Sequence, residues 1–581
     1  MRKFKKMINA LNTQNIKSWE DLNFFLKGIK QDITPHYEFR GSFEEFKNKI
    51  RSGGIAIVTY GYGVDGVSVE ICKYIRILNE VFGNIDIHLI GKECAEIFDH
   101  SVKSSCKHFV VKEMAGFAQW KLFDLFFRTK LKKGDRHYRS LLKKFWKEVL
   151  LISNKIGRYI SENNIKLLYL VNTNSNPGNV SLALSMVFIS EYLQIPVISN
   201  NHDFYWEAGS SEIDRKHFGK KPGSRDHYFT NCNIDEFFSI IKMIYPWKSR
   251  MWFMLNINQE QSRRLVHDFG HDPENVWEIG TAIDSELFKP LKDENRKTEI
   301  LKQISNALSN DVNDVRTIPI KEVISKKSFE RTPFPFVTGY KKNSCIDISL
   351  KDIILVQPTR VIERKNIQKD FELLQKLTEN DAFRRGFQQN NIQNIILLIT
   401  GPLITGHYDY FLMLLERFEE MLNSIDKEFQ SRIFVAFLFS EIDRFSFKIK
   451  HDDPVKISDI FSIASMITLP SKTEGRGLPI IEAASCGIPI FTKIYYPKEV
   501  YRILIGEHLS SKNRLKVIEF DEEPDEKTIN EVVQFLFEDK GKILRHNRKI
   551  IQKRFCFKLL KKEMETALYK FYCNLASDCE C

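Results

Sequence analysis

Two glutamates eight residues apart flank a glycine-bearing loop in the stretch ITLPSKTEGRGLPIIEAASCGIPI, residues 467–490. Glu474 opens the loop, and Glu482 lies in the helix that Pro479, a favoured first-turn residue, predicts behind it. The apolar residues at both ends of the stretch predict buried strands. In the order strand, loop, helix, strand, the free N–H groups of the loop and of the helix N-terminus form an anion site. We expect Glu474 beside a bound anion and Glu482 on its far side. The alternative is an ordinary α/β turn with two surface glutamates.

Two cations follow an earlier predicted strand in a comparable position. The apolar run 353–356 predicts the strand, and Arg360 and Lys365 come after it, five residues apart. Paired cations suit the negative charge that builds up on a departing diphosphate, because charge-assisted hydrogen bonds to phosphate are strong. Arg364 stands beside them. The alternative is therefore a basic strand-to-helix turn in which one of the three cations is a bystander.

The first half of the chain repeats the order of strand, glycine loop and helix. The apolar run 55–60 predicts a parallel strand, and the loop GYGVDG behind it ends at Gly66, where a helix begins. Glycine allows a ligand to approach the backbone closely. A later strand, 195–199, leads to His202 and Asp203. A lone histidine is more often structural, but a position at a strand end, where α/β ligand crevices form, favours a site.

The glutamate pair around Gly-x-Gly-Leu-Pro and the Arg-x4-Lys pair resemble the donor-binding motifs of family-4 retaining glycosyltransferases. In that family the two cations bind the donor diphosphate, the first glutamate and the loop amides hold the sugar, and the second glutamate takes the ribose hydroxyls. A glycine and a histidine of the first half contact the diphosphate and the sugar near its reacting carbon. The resemblance implies catalytic roles for His202 and Glu474 and donor binding by Gly66, Arg360, Lys365, Gly477, Leu478 and Glu482.

The resemblance also implies an α/β fold of the GT-B type, with two Rossmann-like domains facing across a cleft. Alternating strands and helices favour the parallel sheets of such domains. Arg476 and Asp65 depart from the family pattern, which usually has an aromatic residue and a glycine there. The expected organisation is an N-terminal helical extension (1–50), an acceptor domain (51–290), an inter-domain insertion (291–350), a nucleotide-sugar domain (351–550) and a C-terminal helix that crosses back to the first domain (551–581).

The implied activity is transfer of a hexose from a UDP- or GDP-linked donor to a small-molecule, glycan or lipid-linked acceptor. Retention of the anomeric configuration would follow from front-face attack, so no carboxylate is named as nucleophile. The sequence has no compact Asp-x-Asp; the cations and helix amides are therefore expected to stabilise the leaving group without a metal or other cofactor. One alternative, from the same fold, is a sugar-phosphate or glucan-type transferase. The other, from another class, is a non-catalytic sugar-nucleotide-binding or scaffold protein with a basic, membrane-facing surface.

The composition sets further bounds. The 581 residues, 43% hydrophobic and 28% charged, suffice for two or three globular domains. A net charge of +12 suits phosphate-bearing ligands or an anionic membrane surface, and no signature of nucleic-acid binding accompanies it. Ten scattered cysteines fit a reducing compartment, and no signal-peptide or membrane-span pattern is present. These features predict a cytoplasmic protein, with peripheral attachment to the inner face of the membrane as the variant.

The segment 117–160 is the most basic amphipathic part of the chain, with aromatic residues alternating with lysine and arginine. One interpretation is a helix that packs its apolar stripe on the core while its lysines face water. The other is a surface that contacts a membrane or the acceptor.

Overall fold

The computed structural model divides the chain into two compact units. Unit 1 comprises Met1–Thr281 and Leu560–Cys581, and unit 2 comprises Ala282–Leu559. Asp65 of the first glycine loop lies outside the residues that the structure describes, as do parts of the segment 291–350. The described residues are 1–33, 37–63, 66–95, 100–219, 221–309, 315–325, 333–340, 344–404, 406–439 and 455–576.

Unit 1 is built on a sheet of seven parallel strands. The strands are β1 (Ile55–Val58), β2 (Ile87–Gly91), β3 (Lys107–Val110), β4 (Leu167–Val171), β5 (Val197–Asn201), β6 (Trp252–Asn256) and β7 (Val276–Glu278). Their order is β3-β2-β1-β4-β5-β6-β7. Strands β1 and β4 are buried throughout, which explains their continuous apolar sequences. The chain grows from β1 toward β2 and later resumes at β4 on the other side, so the carboxyl ends of β1 and β4 border a ligand crevice.

The N-terminal residues, expected as an extension, belong to the core of unit 1. Trp19 is 1% exposed and packs edge-on against Phe126 and Phe237, with ring centroids 5.9 and 4.9 Å away. At the other end of the chain, Phe571 stacks on Phe253 of β6 at 5.3 Å. The α-helices of unit 1 are Arg2–Thr13, Trp19–Gly28, Phe43–Arg51, Gly66–Phe82, His100–Ser105, Phe123–Phe127, Arg136–Glu162, Val180–Leu193, Glu212–Phe218, Asp235–Ile244, Gln259–His267 and, from Leu560 onward, Phe557–Leu575.

Unit 2 contains a second seven-stranded sheet and a small antiparallel pair. The pair consists of β8 (Val315–Arg316) and β10 (Cys345–Ile346). The large sheet contains β9 (Phe336–Gly339), β11 (Ile353–Gln357), β12 (Ile395–Ile399), β13 (Ile433–Phe437), β14 (Met466–Leu469), β15 (Ile490–Lys493) and β16 (Ile518–Phe520). Its order is β16-β15-β14-β11-β12-β13-β9, and all neighbours are parallel except β9, which runs antiparallel to β13.

The described residues of 291–350, expected as an inter-domain insertion, are instead part of unit 2. Phe336 of β9 stacks on Phe437 of β13 at 5.1 Å, so this segment supplies an edge strand of the large sheet. The boundary between the units falls after Thr281 rather than after residue 290. The α-helices of unit 2 are Glu294–Leu308, Ile320–Ser325, Gln368–Glu379, Asp381–Gln389, Tyr408–Ser424, Lys427–Gln430, Ile457–Ile463, Leu478–Cys486, Lys498–Ile505, Glu526–Phe537 and Gly541–Arg554.

The aromatic residues of the segment 117–160 pack inside unit 1. Only Phe117, at 39%, is appreciably exposed among them, and its lysines lie on the outside. The first interpretation, a helix that packs its apolar stripe on the core, therefore describes most of the rings in this segment. The buried rings are those of Trp120, Phe123, Phe126, Phe127, Tyr138, Phe145 and Trp146.

None of the helices in the described part of the chain combines the length and the apolar character that a membrane span requires. Seven of the described cysteines are free thiols, whereas Cys573 is disulfide-bonded.

Candidate functional site

The sheet of unit 2 changes its direction of growth between β11 and β14. Strand β11 leads to β12 and β13 on one side, and β14 leads to β15 and β16 on the other. Because β11 and β14 are parallel neighbours, their carboxyl ends meet at one edge. The loops that follow them, 358–367 and 470–477, lie beside each other there, and open α/β sheets bind ligands at such switch points. The predicted cations and Glu474 come from these two loops.

A buried ion pair joins the two loops. Nζ of Lys365 donates to Oε1 of Glu474 at 2.5 Å, and the two side chains are only 8% and 9% exposed. A second link lies beside it, because Nδ2 of Asn366 donates to the backbone oxygen of Pro470 at 3.1 Å. The ion pair brings together two residues that are 109 positions apart in the sequence. The structure thus places Lys365, predicted to bind the donor, in direct contact with Glu474, predicted to be catalytic.

Burial and mutual attraction set the charges of this pair. Burial lowers the pKa of Lys365 to about 8, although the neighbouring Glu474 carboxylate opposes the shift. Burial favours the neutral form of Glu474, but the positive charges of Lys365 and Arg364 outweigh it and lower the pKa of Glu474. At neutral pH the pair is therefore ionised, with the lysine close to losing its proton. Such perturbed groups at a strand-end crevice are typical of functional sites.

Arg364, for which the sequence did not decide between a site role and none, connects the two loops of the crevice. Its Nη1 donates to the backbone oxygen of Thr473 at 2.9 Å and lies 3.8 Å from Oε2 of Glu474. Its own backbone oxygen accepts from the N–H of Lys472 at 2.8 Å. Arg364 therefore holds both loops together and adds a second positive charge beside Glu474. Arg360 is exposed at the start of the same loop.

The helix Leu478–Cys486 begins at this crevice, as the sequence predicted. Its N-cap, Gly477, has a φ of 72°, and a Cβ at that position would collide with the Tyr495 hydroxyl. Glycine offers no side chain to cap the first turn. Pro479 has no N–H, and the N–H of Ile480 donates to the Gly477 backbone oxygen at 3.0 Å, so the N–H groups of Gly477 and Leu478 are the candidate donors to a ligand. Glu482 lies half-buried in the second turn of the helix.

In unit 1, Gly66 and His202 are connected through one helix. Gly66 is the first residue of Gly66–Phe82, and a Cβ built on it would meet no described atom within 4 Å. Packing against the described residues does not demand glycine here, which leaves space for a ligand. His202 directly follows β5, and its ring lies edge-on to Tyr74 of the same helix, with a centroid distance of 6.4 Å.

Asn172, at the end of β4, holds the backbone of His202. Its Oδ1 accepts from the N–H groups of His202 at 2.8 Å and Asp203 at 3.2 Å. Asn172 itself has a φ of 60°, a left-handed conformation that asparagine tolerates better than most residues. The sequence indicated only that the polar loop 172–178 lies at a strand end. The structure shows that its first residue positions the predicted histidine.

The acidic residues after His202 have a partner that the sequence did not reveal. Nη2 of Arg225 donates to Oδ1 of Asp203 at 2.6 Å, and its Nη1 donates to the Phe204 backbone oxygen at 2.7 Å. Nη1 also lies 3.4 Å from Oε2 of Glu207, whose pKa is raised by burial. Asp203 and Glu207 therefore stabilise the conformation of the loop.

Comparisons with known proteins agree with this architecture. Residues 345–503 match the family model described as "Glycosyl transferases group 1", and no curated protein matches the sequence. The solved structure of HepE from Anabaena in complex with UDP and glucose has a TM-score of 0.50 at 11% identity, covering 89% of this chain and 99% of that one. Sucrose-phosphate synthase from Thermosynechococcus elongatus has a TM-score of 0.50 at 11% identity, covering 89% and 98%. At these identities the two structures show the fold alone.

Two units with parallel sheets, and loops that form a charged crevice at the switch point of the second sheet, define a glycosyltransferase of the GT-B fold. The residues that match the model of glycosyl transferases group 1, 345–503, include the Lys365–Glu474 pair and the helix Leu478–Cys486.

Proposed function

We propose that this protein is a retaining hexosyltransferase that uses a UDP- or GDP-linked hexose and a small-molecule, glycan or lipid-linked acceptor. The observation that carries the proposal is the buried ion pair of Lys365 and Glu474, at 2.5 Å, at the switch point of the second sheet. A buried ion pair is weak evidence for stability, since its desolvation cost rivals its attraction. A ligand that uses both charges gives a functional reason for keeping it.

In this proposal the cations serve the diphosphate. As the bond between the sugar and the phosphate breaks, the electron pair goes to the diphosphate oxygen, and the positive charges of Arg360, Arg364 and Lys365 stabilise it. Charge-assisted hydrogen bonds are strong in a site that excludes water. Lys365 is 8% exposed, so its charge is little screened.

The other side of the crevice serves the sugar and the ribose. Glu474 accepts hydrogen bonds from sugar hydroxyls, and the backbone N–H groups at Gly477 and Leu478 donate to the sugar or the phosphate. Glu482, one turn further along the helix, takes the ribose hydroxyls. His202 and Gly66, which belong to unit 1, keep the roles that the resemblance implies for them. Front-face attack by the acceptor then retains the anomeric configuration without a carboxylate nucleophile.

The first experiment measures the melting temperature with UDP, GDP, ADP and the matching nucleotide-glucoses. UDP-glucose is placed first because HepE, which shares the fold, has been solved with UDP and glucose. A ligand at about 100 times its Kd stabilises the folded state by roughly 2.7 kcal/mol, which is a shift of several degrees for a domain of this size. We expect one base to give this shift and Lys365→Met to remove it. An equal shift in the variant would contradict the site, and no shift with any nucleotide would contradict the donor class.

We propose that the cations and the helix amides stabilise the leaving diphosphate, so chelating divalent metal ions should leave the rate of sugar transfer unchanged. With excess EDTA, we expect kcat to stay within about twofold of its value in added Mg²⁺ or Mn²⁺, because no metal acts as the Lewis acid. The measurement is a donor-consumption assay on the same sample before and after EDTA. A loss of activity that Mn²⁺ restores would show that a metal takes part.

A further inference from the structure

Phe117, the exposed ring of the segment 117–160, lies at the carboxyl edge of the first sheet. Its ring centroid is 5.3 Å from that of Tyr60, which follows β1, and its N–H donates to the Gly178 backbone oxygen at 2.8 Å. Gly178 ends the polar loop 172–178 that follows β4. Phe117 therefore lies where the carboxyl ends of the neighbouring strands β1 and β4 border the crevice of unit 1.

The backbone of Phe117 has a conformation that suits few residues. Its φ is 55°, in the left-handed region, which is a genuine outlier for a bulky side chain. Glycine or asparagine would adopt this conformation at less cost. Burial of the ring offsets only part of the cost, because 39% of the residue remains exposed. A single exposed apolar residue is common, but strained backbone of this kind concentrates at ligand-binding sites.

The residues around Tyr60 are shaped to hold its ring against Phe117. A Cβ at Gly116 would lie 2.7 Å from the Tyr60 ring and one at Gly178 would lie 2.8 Å from it, so no larger residue fits at either place. The Tyr60 hydroxyl donates to the Asn176 backbone oxygen at 2.7 Å. Tyr60 is thus fixed between two loops and supports Phe117 rigidly, which limits the conformational freedom lost when a ligand covers the exposed ring.

The aromatic residues that contact Phe117 in the described part of the chain meet it at an angle. The interplanar angle is 69° with Tyr60 and 59° with Phe123, so neither ring is stacked in parallel on it. Polar groups lie nearby. Gln119, in the same turn, is exposed, and its Oε1 accepts from Nζ of Lys92 at 2.7 Å. The backbone N–H of Lys92 in turn donates to the Tyr60 oxygen at 2.9 Å. An apolar ring with an amide and an ammonium group beside it suits a ligand that is apolar on one face and polar at its rim.

We propose that a pyranose ring of the acceptor stacks on Phe117, while Gln119 and Lys92 bind its hydroxyls. The C–H groups on one face of a pyranose carry partial positive charge and are attracted to the negative face of an aromatic ring, whereas the hydroxyls at the rim need polar partners. This inference rests on the proposed sugar transfer and narrows its acceptor to a molecule that presents a sugar ring. An acyclic acceptor of the same polarity would gain nothing from the aromatic ring.

The test measures binding of the methyl α-glycosides of glucose, mannose and galactose to the full-length protein with UDP, by saturation-transfer NMR. Glucitol, which has the hydroxyls of glucose without its ring, is the matched ligand. We expect transfer to the ring protons of at least one glycoside and much less to glucitol. Phe117→Asn should weaken glycoside binding about tenfold, the upper range for an aromatic contact, and Phe117→Tyr should keep it. Asparagine tolerates the left-handed φ, so the backbone of this variant stays in place.

The controls separate the ring from the fold and this inference from the sugar-transfer proposal. Phe24→Asn removes another exposed ring of unit 1, at 72%, and should bind the glycoside as the unchanged protein does. Gln119→Ala changes only an exposed side chain and should weaken binding. The inference is overturned if no glycoside binds, if glucitol binds equally well, or if Phe117→Asn or Gln119→Ala binds as tightly as Phe24→Asn. A nucleotide melting shift without glycoside binding would contradict this subsite alone, whereas glycoside binding that depends on Phe117 without any nucleotide shift would support the subsite and contradict the donor class.

Discussion

Glu474→Gln should lower kcat for sugar transfer by about a thousandfold, the upper range for removing one electrostatic contact from a transition state. The substitution keeps the shape of the side chain but removes the charge that faces Lys365 at 2.5 Å. The buried lysine then loses its counter-charge and sheds its proton more easily. Both sides of the proposed donor site are weakened by a single change, which is why this effect is expected to be the largest. A donor-consumption assay measures it.

The fold should survive this change. Breaking a buried ion pair costs about 3–5 kcal/mol when the remaining charge stays in place. Lys365 has a pKa of about 8. Each unit between the pH and this pKa adds about 1.4 kcal/mol to the free energy of deprotonating the lysine, so at pH 7 it becomes neutral at a small cost. We expect the free energy of unfolding to fall by about 2 kcal/mol or less. Glu363→Gln is the control, because the Glu363 carboxylate lies in the loop that carries Lys365 and is 74% exposed. Full turnover in Glu474→Gln would reject the site, and unfolding of the variant would reject the assigned charge balance.

The elements around this site could be predicted because their signals are local. The apolar run before the glycine loop marks β14, and Pro479 and Gly487 mark the two ends of a helix that the structure places at Leu478–Cys486. Local chain chemistry decides such features. The Arg-x4-Lys spacing was equally visible, although only the fold could show that Lys365 meets Glu474.

The sequence could not predict contacts between side chains that only the tertiary fold brings together. Arg225 lies more than twenty residues after Asp203 and carries no motif, yet it holds the loop that presents His202. Arg364 differs in no local feature from its basic neighbours, and its contact with Thr473 depends on which strands become adjacent. The edge strand β9 was missed for a similar reason, because four residues in a polar segment carry too weak a pattern.

Nucleotide binding should weaken as the pH rises above 8. In the unliganded protein Lys365 has a pKa of about 8, and the diphosphate needs its positive charge. Binding therefore requires uptake of a proton above that pH, and Kd should rise by up to about tenfold per pH unit. The second ionisation of a phosphate, near pH 6, lies outside this window. Calorimetric titration with UDP or GDP between pH 7 and 9.5 measures the slope. Lys365→Arg is the matched variant, since arginine keeps its charge, and its Kd should change little over the same range.

The stability of the unliganded protein should change in the opposite direction. An unfolded lysine keeps its proton up to its ordinary pKa of 10.5, whereas the folded one loses it near 8. Between these values unfolding takes up a proton, so raising the pH stabilises the folded state by up to about 1.4 kcal/mol per unit. The difference in unfolding free energy between the unchanged protein and Lys365→Met isolates this contribution from other titrating groups. If nucleotide affinity falls with pH while the free energy of unfolding rises with pH, one group must be buried without the ligand and positively charged with it. If both slopes had the same sign, or if Lys365→Met kept the binding slope, another residue would carry the proton.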